Sequence, residues 1–86
     1  MRNTLFKPDA LAQLLEWSRV DAKISKKIIE LAESTAKTPF AGIGKPEPLK
    51  GKLKGKWSRR ITDEHRLIYE VTDEEIIVLS CKGHYE

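Results

Sequence analysis

The chain reads as an α+β fold, with two N-terminal helices packed on one face of an antiparallel β-sheet. Three features predict it. Apolar residues recur at helical spacing up to about Ala32. The stretch "TPFAGIGKPEP" then breaks the pattern with three prolines and two glycines. Alternation with period two takes over from Lys56. At 86 residues and 40% apolar content, a single domain spanning 1–86 with a modest core is expected.

Taken in order, Thr4–Phe6 is a candidate first strand. Pro8 suits the first turn of a helix, where its missing N–H costs nothing. Leu11, Leu14 and Leu15 form its apolar stripe, which Trp17 or Val20 extends. Asp21 is a good N-cap for a second helix carrying Ile24, Ile28, Leu31 and Ala32 at helical spacing. The two read as an antiparallel hairpin with one buried face. Thr38 to Gly55 is loop, with a short strand expected near Leu49–Leu53. "KWSRRI", "HRLIYEV" and "EIIVLSCKGHY" follow as strands, joined by turns at Thr62–Glu64 and Thr72–Glu74. Ile61, Leu67, Tyr69, Val71, Ile77, Leu79 and Cys81 share one parity and are the expected core face. Ser58, Arg60, Arg66, Lys82 and His84 share the other. Arg59 falls on the apolar parity, which predicts an exposed edge or a neighbouring bulge.

No apolar run approaches a membrane span, and no charged-then-apolar leader stands at the start. The lone Cys81 excludes an internal disulfide, so a reducing cytoplasm is the expected location. Net charge is +3, but residues 45–66 hold eight Lys or Arg against Glu47, Asp63 and Glu64, a local +5 that leaves −2 elsewhere. Such a segment fits a polyanionic partner, since Lys and Arg displace counterions from phosphates. The plain alternative is a solvated lysine-rich loop.

Glu47 argues for more than binding. It stands between Pro46 and Pro48 in the most basic part of the chain, where a phosphate-gripping patch has no use for a carboxylate. Glu47, Arg60, Arg66 and His84 together are the parts that transesterify RNA without a metal. A base takes the ribose 2′-OH proton, an acid protonates the departing 5′-oxygen, and cations stabilise the phosphorane. Duller readings remain open on spacing alone. Glu47 balances lysines, Arg60 and Arg66 pair with Glu64 or Glu70, and His84 belongs to a frayed end. A metal site at Cys81, His84 and His65 lacks a second ligand pair.

"TPFAGIGKPEPLKGKLKGKWSRRITDEHRLIYEVTDEEIIVLSCKGHY" resembles the YoeB/Txe toxins of the RelE superfamily from Thr38 to Tyr85. The motifs "GKPEPLK", "WSRRI", "EHRL" and the late "HY" match in order and spacing, and Trp17 with the Lys26–Leu31 helix extends the match more weakly. The resemblance implies a RelE-like βααβββ fold and a type II toxin that cuts mRNA in the ribosomal A site. It further implies silencing by a YefM/Axe-like antitoxin, a common tendency to dimerise, and no cofactor. By the same likeness Glu47 is the general base and His84 the general acid. Arg66 stabilises the transferring phosphate, Arg59, Arg60 and Lys50 contact substrate, and Tyr85 orients substrate and His84. The competing functions are a non-catalytic RNA- or ribosome-binding module of the same fold, and a gyrase-directed relative that needs no ribonuclease residues.

Overall fold

A computed structural model of the chain describes residues 1–84. In chain order it contains β1 (Asn3–Phe6), α1 (Pro8–Val20), α2 (Ala22–Lys37), β2 (Glu47–Pro48), a 3-10 turn at Gly51–Leu53, β3 (Trp57–Arg60), β4 (Arg66–Val71) and β5 (Glu75–Ser80). The strands form one sheet in the order β1-β5-β4-β3-β2. The β2-β3-β4-β5 run is antiparallel, as the short connections require, whereas β1 lies parallel to β5 and makes the sheet mixed. The connection from β1 to β5 runs through both helices and the other three strands, which gives the long crossover that a parallel pair needs.

Pro8 opens α1 as the sequence predicts. The buried stripe of α1, however, is Ala10 with Leu14 and Trp17, while Leu11 and Leu15 remain 46% and 50% exposed. The helix is turned so that its smallest inward residue meets the sheet. This lets Gln13 Oε1 accept from Cys81 N at 2.7 Å, and Cys81 Sγ reaches Ala10 O at 3.5 Å. Asp21 alone joins the helices and caps the second, its side chain accepting from Lys23 N at 3.1 Å. Ile28, Leu31, Ala32, Thr35 and Ala36 then face the sheet, and Thr35 Oγ1 donates back to Leu31 O at 2.7 Å.

The sheet departs from strict alternation at one place. Val71 pairs with Ile76 and Tyr69 with Val78, but Ile68 pairs with Ser80, so Leu79 is an extra residue on β5. Ile76 and Val78, not Ile77 and Leu79, therefore face the helices, and the extra residue returns Cys81 to that face. Across the other face runs the row Glu47, Ser58, Ile68 and Ser80, of which the last three are buried. That face is less uniformly polar than alternation predicts. The expected strand near Leu49–Leu53 lies earlier, at the proline-flanked edge Glu47–Pro48. An edge position suits Pro48, which has no N–H to give a further neighbour.

Candidate active site

Arg60 and Arg66 stand directly opposite each other in the β3–β4 register, on the sheet face away from the helices. Like charges across a strand pair repel, so this placement opposes folding and favours a bound anion. Neither side chain forms an ion pair among the described residues, and Glu70 pairs with Lys56 at 3.4 Å instead. Arg66 is anchored by one nitrogen only. Its Nη1 donates to Thr62 O at 2.6 Å, His65 O at 3.1 Å and Asp63 O at 3.2 Å. Its Nε and Nη2 have no acceptor among the described residues. Arg60 is exposed, its side chain has no hydrogen bond among the described residues, and its backbone N is held by Gly44 O at 2.7 Å.

Glu47 is exposed on edge strand β2, paired with Ser58 and one diagonal step from Arg60. Such diagonal neighbours lie about 7–8 Å apart at the backbone, within reach of long side chains. Lys50 is exposed immediately before the 3-10 turn. Beyond β5 the chain is tied down closely. Trp17 Nε1 donates to Cys81 O at 3.0 Å, Arg66 N to Gly83 O at 2.9 Å, and Gly83 N to His65 Nδ1 at 2.9 Å. Lys82 bonds Glu16 of α1 at 2.5 Å, and that ammonium holds the Glu16 carboxyl below its usual range. Lys82 thus serves the helix contact, not the arginine face. His84 follows as an exposed side chain on a pinned backbone. Tyr85 lies outside the described residues.

Arg59 requires a correction. It is neither at an exposed edge nor available to substrate, because it is fully buried. Its five N–H groups meet five acceptors: Tyr69 Oη at 3.3 Å, Ser34 Oγ and Ile43 O at 3.0 Å, Ala41 O at 2.8 Å and Thr38 O at 2.6 Å. The Tyr69 hydroxyl in turn donates to Pro39 O at 2.7 Å, and burial pushes its pKa up. Arg59 is therefore the nucleus around which the Thr38–Gly44 loop folds. That loop leads straight to Glu47. Sequence reasoning misses this role. The only available signal is an arginine on the apolar parity beside a loop rich in free carbonyls.

Gly44 completes the support. Its φ of +82° favours glycine, and a Cβ there would stand 2.7 Å from Leu31 Cδ2. Among the described residues no group of three His, Cys, Asp or Glu is placed to hold a metal ion. No helix among them is long and apolar enough to cross a membrane.

The molecule is a small α+β protein that carries opposed arginines and an edge carboxylate on one sheet, with an exposed histidine following the anchored Gly83. Residues 6–85 match the family of YoeB-like toxins of bacterial type II toxin-antitoxin systems. The chain is 56% identical to Toxin YoeB of Escherichia coli K12 over 71 residues, covering 83% of this chain and 84% of that one. A solved YoeB dimer from Staphylococcus aureus superposes with a TM-score of 0.90 at 46% identity, covering 98% of both chains. The toxin in a heterotetrameric YoeB–YefM toxin-antitoxin complex from the same organism gives 0.88 at 45%, covering 99% of both. The chain belongs to the YoeB-like toxin family.

Proposed function

We propose that this toxin is a ribosome-dependent endoribonuclease that halts translation by cutting mRNA in the A site. The observation that carries the reading is the Arg60–Arg66 pair, opposed across a strand with no acid between them among the described residues. A phosphate in transit to a phosphorane gains negative charge, which is what two guanidinium groups on one sheet face stabilise. Glu47 takes the 2′-OH proton, and the 2′-oxygen attacks the adjacent phosphorus. The P–O5′ bond breaks, His84 protonates the leaving oxygen, and a 2′,3′-cyclic phosphate remains. Lys50 and Arg60 hold flanking phosphates, and Tyr85 orients His84. No step draws on a metal or cofactor. Glu47, Arg60 and His84 are all exposed, so the ribosome must hold the message in line, and free RNA is a poor substrate.

An antitoxin partner fits the same surface, since an acidic or amphipathic segment would cover the basic face when the toxin is silenced. The S. aureus relatives support such a partner of YefM type and a homodimer. The test is to induce the chain alone in a bacterium and map RNA 5′ ends. Cuts confined to translated frames, abolished by co-expressing the neighbouring gene's product, are expected. Intact messages and unchanged growth would leave only a non-catalytic binder of RNA or ribosomes.

A further inference from the structure

His65 takes no part in the chemistry above, yet it touches both halves of it. Its carbonyl closes the β3–β4 turn, accepting from Ile61 N at 3.0 Å and Thr62 N at 3.2 Å, and it also receives Arg66 Nη1 at 3.1 Å. Its ring faces the other way. Nδ1 accepts from Gly83 N at 2.9 Å, and the ring meets Trp17 edge-on with centroids 4.8 Å apart. Trp17 is itself fixed by its bond to Cys81 O. Gly83 is gripped a second time in the next peptide unit, where its carbonyl accepts from Arg66 N at 2.9 Å. Gly83 turns there with φ +94°, a conformation glycine adopts without strain. The next residue is His84.

We propose that His65 is a positioning residue, whose Nδ1 clamps the Gly83 peptide and so fixes where His84 stands relative to Arg66. The inference rests on the ribonuclease reading, in which His84 and Arg66 act on one phosphate. The His84 side chain is exposed and has no hydrogen bond among the described residues, so its backbone must carry the precision. Late chain segments fray unless tied down, and misplacement by about 1 Å can cost on the order of a hundredfold in rate. An imidazole accepting at Nδ1 carries its proton at Nε2, which leaves the acceptor free for Gly83.

Two variants separate the acceptor from the ring. His65→Phe keeps the edge contact with Trp17 but removes the acceptor. His65→Asn gives up the ring but places Oδ1 where Nδ1 stood. Amide exchange at Gly83 should quicken about tenfold or more in His65→Phe and stay near the parent value in His65→Asn. Single-turnover cleavage on saturating ribosomes should slow by roughly tenfold to a hundredfold in the first and recover to within about threefold in the second. Ribosome Kd should not move in either. If His65→Phe does not fold, His65→Leu, which also offers no acceptor, takes its place. The proposal is overturned if the acceptor-free variant exchanges and cuts like the parent, or if His65→Asn fails as badly. A parent that cuts no message removes the nuclease reading, while Gly83 exchange still decides whether the acceptor fixes the segment.

Discussion

Arg59 and Cys81 occupy one sheet face, and each follows from desolvation. A guanidinium taken out of water must keep every donor occupied, and Arg59 does so with five acceptors drawn from residues 34 to 43 and Tyr69. Lysine offers a single point charge and cannot span that fork. Arg59→Lys should lower stability by about 2–4 kcal/mol, read as a reduced urea midpoint. Cys81 has the opposite character, a buried thiol that gains nothing from ionising. Burial pushes its pKa from 9.0 to about 11. The unfolded chain therefore releases this proton first as pH rises. The contribution of Cys81 to stability is complete below about pH 9 and is lost as pH climbs toward 11. Unfolding midpoints of the parent and Cys81→Ala should converge as pH rises through that window. A constant gap between the two would contradict the assignment.

At the scale of elements, what is legible in the sequence is local. Asp21 caps α2 and threonines open both hairpin turns, because a short side chain can reach only its own neighbours: Thr62 Oγ1 accepts from His65 N at 3.1 Å, and Thr72 Oγ1 from Glu75 N at 2.9 Å. Periodicity finds Leu14 and Trp17 of the α1 stripe but adds Leu11 and Leu15 and passes over Ala10, because three leucines outweigh one alanine, although Ala10 permits the close approach. It misplaces the face of β5 because the extra residue at Leu79 is visible only against its partner strand. Of the candidate site, the opposed arginines follow from alternation. The role of Arg59 does not, because its acceptors are mostly main-chain carbonyls that any sequence supplies. The Thr38–Pro46 loop likewise depends on backbone geometry at Gly44. Gly44→Ala would combine an unfavourable positive φ with a Cβ 2.7 Å from Leu31 Cδ2. It should cost about 1–3 kcal/mol of stability and slow cleavage by displacing Glu47, as melting and single-turnover assays would report. Full activity with parent-like melting would mean that the loop does not set the position of the carboxylate.

Over the whole molecule, the lysine-rich charge and the proposed chemistry occupy adjacent but separable regions. The +5 segment places Lys50, Lys52 and Lys54 in the connection between β2 and β3, all exposed, while Glu47 sits at the edge of the sheet itself. Exposed lysines contribute affinity by releasing counterions, and they do so whether or not any bond is cut. Neutralising Lys52 and Lys54 together to Gln should therefore weaken ribosome binding and reduce the salt slope by roughly one for each phosphate left without a cation, with single-turnover cleavage at saturation unchanged. Glu47→Gln should do the reverse. It keeps the shape and the edge pairing but removes both a negative charge and a proton acceptor from a basic face. Binding should be at least as tight as in the parent, and cleavage slower by roughly two to four orders of magnitude. Ribosome affinity and single-turnover cleavage, measured side by side on both variants, decide the matter. If Glu47→Gln cuts like the parent, the base lies elsewhere. If it loses binding instead, the proline-held carboxylate serves the structure of the edge strand and not the reaction.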